Sequence, residues 1–446
     1  MPEQKFYKLL IIGLIVIGSV FRLIVFTVSP PSNSYDDHLE VIAEYTKDYQ
    51  RPSPFQCWEC YQPPLFYYVG AVAFNVSSYF GLSKNSSWKV VQAINPFLSI
   101  LVLILAYNIL LLFRIETKFI ALAMSFLIVL PRDIFTAAMI GNDYILVFFS
   151  ILTFYLYLKG LLLLRRGKKV LACFGLMVLA ALLGSLSKQQ GLLLYIFPVG
   201  TILYMLVQRK TLDLIVVISI LMLGASISLL EEFWKYSETG VVLVSNQHHY
   251  NYAENQFPGS LNKVEFLTFR IKELYEEPFL SERTSASLPT ELFARTFNDY
   301  EWRFMSPRIN LIKNLGRMAY TLGLFWVLFF LWLLRFYLVR AREFLTIKNL
   351  FFFGIPAVLV IFFLAVPAIQ TLRFPYFSSM KAMFILPGLI ILILLMGALT
   401  KRISLTWIVP VIISVNVVFG LFLSICIWQF LNESLYHLHG PLWPIP

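Results

Sequence analysis

Two adjacent carboxylates, Asp36 and Asp37, lie in a polar segment that follows the first long apolar run of the chain. His38 and Glu40 come directly after them. A carboxylate beside a membrane surface can take a proton from an acceptor hydroxyl or amine, as a general base does. We therefore predict a catalytic site on the loop 29–61, with Asp36 or Asp37 as the base. Solvated loop acids or helix caps are the alternative interpretation of this pair.

Basic residues occur later in the chain, at polar breaks between apolar runs and in a long polar loop. Each alone is typical of a side chain that extends toward the membrane interface. Together they predict a cationic site for a phosphate group, because Arg offers a bidentate fork and Lys a point charge. The predicted phosphate-binding residues are Lys188, Arg303, Arg373 and Lys381.

Polar residues near these charges are predicted to line a substrate pocket. Asn142 and Asp143 begin an apolar run, where they are equally typical of a helix N-cap. The pattern requires no cofactor, and we assign no metal ligand, although His248 and His249 with nearby carboxylates leave a divalent ion open. The predicted pocket residues are His38, Gln62, Asn142, Asp143, Gln189 and Tyr376.

The composition is that of an integral membrane protein. The chain of 446 residues is 59% hydrophobic and only 14% charged, with a mean hydropathy of +0.74. Ordinary soluble domains carry about 25% charged residues. The net charge of +11 would suggest nucleic-acid binding in a soluble chain. Here the basic residues cluster in short loops between apolar runs, as the positive-inside rule predicts, so we exclude a nucleic-acid partner.

The apolar runs predict an all-α polytopic fold, since a membrane-crossing helix needs about 20 mostly apolar residues. A shorter, more polar run at 62–80 begins with Pro63 and Pro64 and is predicted to be a re-entrant or surface helix. The alternative is a full span with Lys84 and Lys89 on the inner side, which would invert the next loops. About 11 transmembrane helices are predicted. They lie near 9–28, 91–113, 117–137, 143–163, 170–187, 190–207, 211–230, 316–337, 349–369, 380–399 and 404–430.

Basic loops at alternate connections predict a cytoplasmic N-terminus, with the loop 29–61 and the C-terminus on the outer side. That side is the exterior of a prokaryotic inner or plasma membrane, or the lumen of the endoplasmic reticulum. We divide the chain into an N-terminal transmembrane module (1–230), an outer-side soluble region of short helices (231–315) and a C-terminal transmembrane module (316–446).

The four cysteines are too few for a disulfide scaffold. Cys57 and Cys60 form a CxxC in the outer loop, which predicts a short-range disulfide rather than a metal site, because no second ligand pair at zinc spacing follows. Cys173 and Cys426 lie within apolar runs and are predicted to be small core residues.

The order of these motifs resembles that of the GT-C superfamily of multispanning glycosyltransferases. The likeness is to the protein-O-mannosyltransferase-like and aminoarabinose-transferase-like branch, and it covers most of the chain in order and topology. Gln62 stands where that branch has His, and Met383-Phe384 stand where it has Arg-Tyr. The matching segments are Tyr35-Asp-Asp-His38, Gln62-Pro-Pro-Leu-Phe-Tyr-Tyr68, Gly141-Asn-Asp143, Ser187-Lys-Gln189 and Lys381-Ala-Met-Phe-Ile-Leu-Pro387.

The resemblance implies transfer of a sugar from a polyprenyl-phosphate donor to a lipid, glycan or protein acceptor on the outer face. An Asp base would activate the acceptor, and the basic residues would stabilise the leaving lipid phosphate. Two alternatives are a transporter or flippase for a lipid or small solute, and a non-catalytic subunit with the same fold. The sequence has no internal repeat halves, and its acids cluster at one surface, which disfavours a transporter.

Overall fold

The computed structural model describes residues 2–34, 36–209, 214–249, 262–339, 346–374, 379–400 and 408–438. Within these ranges the chain is helical and forms no β-strand. The first ten helices are α1 (Pro2–Val28), α2 (His38–Asp48), α3 (Leu65–Tyr79), α4 (Lys84–Leu112), α5 (Thr117–Val129), α6 (Pro131–Ala137), α7 (Asp143–Arg165), α8 (Leu171–Ser187), α9 (Ile196–Val207) and α10 (Leu214–Thr239).

Three short helices follow, and five further helices complete the described part of the chain. They are α11 (Lys263–Leu267), α12 (Ile271–Glu276), α13 (Leu288–Phe297), α14 (Asn310–Val339), α15 (Ile347–Asn349), α16 (Ile355–Arg373), α17 (Leu386–Leu399) and α18 (Ile408–Leu438). Short 3-10 segments precede α9 and α17, at Gln189–Tyr195 and Ala382–Ile385, and a π-helical turn, Leu350–Gly354, precedes α16.

The chain is an integral multi-pass membrane protein. In the part of the chain that the structure describes, nine helices are long and apolar enough to cross a membrane, and the bent pair α5–α6 makes a tenth if it is one span. The apolar helix α8 is shorter, with 17 residues. Each predicted apolar run overlaps one helix, except 117–137, which the structure divides into α5 and α6. Helix α3 has 15 residues, about 22 Å against a hydrocarbon core of about 30 Å. That length fits the prediction of a re-entrant or surface helix for 62–80.

The centre of the bundle is formed by α5, α7 and α17. Within their most apolar windows, α7 is 72% buried and the α17 segment is 78% buried, compared with 33% for α1 and 22% for α10. A helix that is apolar on every side belongs either inside a protein or in lipid. These three helices therefore form the core, and helices such as α1 and α10 present one side to the lipid.

The bend between α5 and α6 is 55° and lies at the Leu130–Pro131 step. Pro131 has no N–H, so it cannot bond the carbonyl of Leu127, four residues earlier. Arg22 on α1 donates to that carbonyl at 3.3 Å. Arg22 also forms a buried ion pair with Asp133 on α6, and Tyr144 donates to Asp133 at 2.6 Å. The polar groups that the bend exposes are thus satisfied inside the bundle.

Removing one partner of the Arg22–Asp133 pair should destabilise the fold strongly. We expect Arg22→Ala to lower the free energy of unfolding by about 3–5 kcal/mol, because an unpaired carboxylate is left in the core. Unfolding of the purified protein in detergent measures this. The control is Lys47→Ala, which breaks an exposed pair with Glu44 and should cost less than about 1 kcal/mol. Equal effects of the two variants would contradict a structural role for the buried pair.

Candidate active site at one end of the bundle

The predicted acidic loop and the predicted late basic segment meet at one end of the bundle. The ammonium of Lys381 donates to both carboxylate oxygens of Asp36, at 2.6 and 2.7 Å. Asp36 has a φ of 55°, a left-handed conformation that is uncommon outside glycine. Burial raises the pKa of Asp36, but the charge and hydrogen bond of Lys381, together with the charges of His38 and Lys188, outweigh burial and lower the pKa to about 2. Asp36 is therefore ionised at neutral pH.

Asp37 lies in a different environment although it is the next residue. It occupies the N-cap position of α2, is partly exposed and makes no side-chain capping bond. Burial, together with the negative charge of Asp36, raises the pKa of Asp37. The two carboxylates that the sequence presents as a pair thus differ. Lys381 donates hydrogen bonds to Asp36, whereas for Asp37 its charge only partly offsets the effects that raise the pKa.

His38 is buried behind Asp36 as the first residue of α2. Its Nδ1 lies 2.9 Å from the hydroxyl of Tyr67 on α3. Burial lowers the pKa of His38 to about 4, so the imidazole is neutral at pH 7. A Cβ atom at Gly141 would lie 3.2 Å from the His38 ring, which shows how closely the α6–α7 connection approaches it. His38, Asp143 and Met383 line one cavity of about 10 Å³.

A second ion pair, which is buried, lies beside the pair of Asp36 and Lys381. Lys188, at the C-terminal end of α8, donates to Asp143, the first residue of α7, and both side chains are buried. The Lys188 ammonium is also 4.9 Å from the centre of the Phe384 ring. Phe384 follows Lys381 by three residues in the chain. Phe384 thus connects the two lysines, and burial of the pair gives its charges a low-dielectric setting.

Amide side chains complete the buried wall of the site. Asn142 donates to Gln62 at 3.3 Å and to the carbonyl of Ser187 at 3.1 Å. Gln62 in turn donates to Glu59 at 3.0 Å. Gln62, just before α3, and Asn142, just before α7, are thereby joined to the turn at Lys188. These pocket residues belong to one connected network.

Glu59 is a site residue that the sequence analysis did not select. It is buried, it accepts hydrogen bonds from Gln62 and from Asn246, the latter at 3.3 Å, and it interacts electrostatically with Asp36. Burial and the charge of Asp36 raise the pKa of Glu59 to about 8. The available signal was its position between Cys57 and Cys60, which form the predicted disulfide. A carboxyl inside a closed CxxC loop is constrained in position.

The stability of the protein should depend on pH through Glu59. Its pKa is raised from 4.5 to about 8, so the folded state holds a proton that the unfolded state loses first. The stability this proton contributes is fully present below pH 4.5 and is lost as pH rises through about 8. We expect Glu59→Gln, which copies the neutral form, to remove that loss. Thermal unfolding in detergent across this pH range measures it; identical pH dependence of both proteins would contradict a protonated Glu59.

The remaining predicted residues lie around this network rather than in it. Gln189 donates to Glu232 at 3.1 Å and to the carbonyl of Val244 at 3.3 Å. Arg303 donates to the carbonyl of Ser34 at 2.6 Å, two residues before Asp36, and so supports the acidic loop.

Arg373, at the end of α16, is exposed and lies 2.7 Å from Nε2 of His248. Among the described residues, Arg373 pairs with neither Asp36 nor Asp143. Tyr376 lies outside the described residues. In the described part of the chain, no three His, Cys, Asp or Glu side chains are grouped so that they could hold a metal ion.

Comparisons with known proteins give likenesses at low sequence identity. The chain is similar to an oligosaccharyltransferase of Archaeoglobus fulgidus solved with Zn and sulfate, with 13% identity, a TM-score of 0.42, and coverage of 97% of this chain and 57% of that one. It is similar to ArnT of Cupriavidus metallidurans in the apo state (14% identity, TM-score 0.38, 87% and 77% coverage). The undecaprenyl phosphate complex of ArnT gives 15% identity, a TM-score of 0.36, and 88% and 78% coverage.

The chain therefore spans less than two thirds of the length of the oligosaccharyltransferase that it resembles. The solved structures are GT-C glycosyltransferases, the superfamily that the order of motifs resembles. No protein-family model matches the chain, and no curated protein matches it. At TM-scores below 0.5 these likenesses carry no inference about activity, which depends on the residues of the site itself.

Proposed function

We propose that this chain is a glycosyltransferase. It moves a sugar from a polyprenyl-phosphate-linked donor to a hydroxyl or amine acceptor on the outer face of the membrane. The observation that carries this proposal is the ion pair between Asp36 and Lys381, residues 345 positions apart in the chain. It places a candidate base and a candidate phosphate ligand in one site, next to the buried pair of Lys188 and Asp143.

The reaction needs these two kinds of group. A carboxylate removes the proton of the acceptor, whose oxygen or nitrogen then bonds to the anomeric carbon of the sugar. The bond from that carbon to the phosphate oxygen breaks, and the lipid phosphate leaves with the electron pair. The ammonium groups of Lys381 and Lys188 stabilise the negative charge that develops on the leaving oxygen. One displacement inverts the anomeric configuration, whereas a double displacement retains it.

The pairing of Asp36 with Lys381 supports an ordered use of the site. A donor phosphate is a strong ligand for an ammonium group and competes with Asp36 for Lys381. When Lys381 turns to the phosphate, Asp36 loses its nearest cation, and burial then raises its proton affinity. Donor binding thus converts Asp36 from an ion-pair partner into a stronger base. Asp37, at the N-cap of α2, is the alternative position for the base.

The test is transfer from radiolabelled polyprenyl-phosphate sugars in membranes that contain the protein. Wild type and the double variant Asp36→Asn/Asp37→Asn are compared over a panel of donor sugars. Asp48→Asn is the control, because it removes an acid at the last residue of α2, at the opposite end of that helix from Asp36 and Asp37. Transfer by wild type and the control but not by the double variant supports the proposal and identifies the sugar.

Two outcomes would overturn the proposal. Equal transfer by wild type and the double variant would remove both carboxylates from the reaction. No transfer from any donor, with the protein present and folded, would remove the glycosyltransferase activity itself and direct attention to transport.

A further inference from the structure

A separate cavity lies at the opposite end of the bundle from the Asp36 site. Helix α7 begins at Asp143, in the site, and ends at Arg165, so it has 23 residues. At 1.5 Å per residue the two ends are about 33 Å apart, close to the thickness of a hydrocarbon core. Arg165 lines this second cavity, which has a volume of about 540 Å³. The cavity therefore opens near the membrane leaflet opposite the site.

The cavity is formed where three segments of the chain end or begin. The C-terminal ends of α4 and α7 supply one wall each, and the π-helical turn before α16 supplies the third. Its described lining residues are Leu112, Phe113, Arg114, Leu162, Arg165, Arg166, Asn349, Phe352 and Phe353. These nine residues include three arginines and no carboxylate.

The lining has two chemically distinct parts. Arg114, Arg165 and Arg166 supply guanidinium groups, which bind phosphate oxygens in a bidentate manner. Phe113 and Phe353 supply an apolar wall, with ring centres 5.4 Å apart and planes inclined by 21°. A π-helical turn is rare and is frequently found at functional sites. A free anion would use only the cationic part, whereas a lipid presents a phosphate and an apolar chain together.

The positive-inside rule accounts for basic residues in this loop but not for their position in a cavity. Lys168 and Lys169 lie in the same connection as Arg165 and Arg166. All four residues are exposed, but only the two arginines line the cavity. On the α4–α5 connection, the carboxylate of Glu116 is 2.7 Å from Lys118. The charge that faces the cavity is thus positive and comes from arginine.

We propose that this cavity binds the phosphate group of an anionic membrane lipid in the leaflet opposite the Asp36 site. The guanidinium groups of Arg114, Arg165 and Arg166 contact the phosphate, and the apolar part of the lipid lies against Phe113, Phe352 and Phe353. Basic pockets between membrane helices bind anionic headgroups in this manner. This site is independent of the proposed sugar transfer, because it lies at the other end of α7.

The experiment measures lipid retention by native mass spectrometry of the purified protein in detergent. Phosphatidylglycerol is the anionic probe, phosphatidylcholine the zwitterionic one, and inorganic phosphate the free anion. The double variant Arg165→Gln/Arg166→Gln removes two cavity charges, and Lys168→Gln/Lys169→Gln removes two charges from the same loop outside the cavity. We expect the arginine variant to lose phosphatidylglycerol affinity by roughly tenfold to a hundredfold, and the lysine variant by less than about threefold.

A preference for phosphatidylglycerol over phosphatidylcholine that the arginine variant alone loses supports the proposal. Equal losses in both double variants would mean that only the general charge of the surface attracts lipid, which overturns it. Inorganic phosphate that competes at equal concentration with the lipid would also overturn it, because the apolar wall would then contribute nothing. Elution of each variant at the volume of wild type in size-exclusion chromatography shows that the variants are folded.

Discussion

A transfer rate lower by roughly 10²–10⁴-fold is expected for Asp36→Asn, since general bases contribute rate factors of this size. Asn has the shape of Asp and still offers an oxygen to Lys381, which donates to Asp36 at 2.6 and 2.7 Å. It cannot accept the proton of the acceptor. Folding should therefore persist while the reaction fails. Initial rates with a radiolabelled donor, at matched amounts of folded protein in membranes, measure the effect.

The matched control for this variant is Asp37→Asn. Asp37 is partly exposed and caps no helix through its side chain, so its loss should lower the rate by less than about tenfold. The reverse order of the two effects would assign the base to Asp37. Rates near wild type for both single variants would contradict a carboxylate base on this loop.

The helices of this protein are predictable because the apolar runs are long and uninterrupted. The run 117–137 is an instructive exception, since the structure divides it into α5 and α6 with a 55° bend. Pro131 indicates a break. Whether a proline bends or ends a membrane helix depends on which group donates a hydrogen bond to the freed carbonyl. Here Arg22, on a different helix, does so. A contact between residues so far apart in the chain is not visible in local sequence.

The candidate site shows the same division between residue type and contact. The sequence predicts acids on an early loop and bases on late segments, and the structure brings Asp36, Lys381, Asp143 and Lys188 together as two ion pairs. Which acid pairs with which base depends on the packing of four separate helices and loops. Glu59 was missed for a related reason. Its place between two cysteines indicates a constrained position, but its importance lies in burial beside Asp36, which local sequence does not show.

The four predicted phosphate ligands are also not equivalent once their surroundings are known. Lys188 and Lys381 are both partnered by site carboxylates, whereas Arg303 contacts the backbone of Ser34 and Arg373 lies beside His248. In the sequence, all four are basic residues in polar segments, so all four are interpreted as phosphate ligands. The backbone contact of Arg303 instead indicates support of the acidic loop, so its substitution tests loop position rather than donor affinity.

The second large effect is expected for Lys381→Gln, in the pH dependence of transfer. With Lys381 present, the pKa of Asp36 is about 2, so the proposed base is ionised at every pH where the protein is assayed. Without Lys381, burial remains and raises the pKa of Asp36. The base is then protonated at higher pH, and the acid limb of the profile should move up by roughly 1–3 pH units. The maximal rate should also fall, because a cation near the leaving phosphate is lost.

Profiles of kcat/KM against pH report the free enzyme, in which Lys381 still pairs with Asp36. Each profile is normalised to its own maximum, which separates the two consequences of this substitution. Arg373→Gln is the matched control, because it also removes one predicted phosphate ligand but lies beside His248 on an exposed surface. Its acid limb should coincide with that of wild type. A Lys381→Gln profile that keeps the wild-type acid limb would show that Asp36 is not the titrating base. If the maximal rate falls but the acid limb does not move, Lys381 acts only in binding the phosphate.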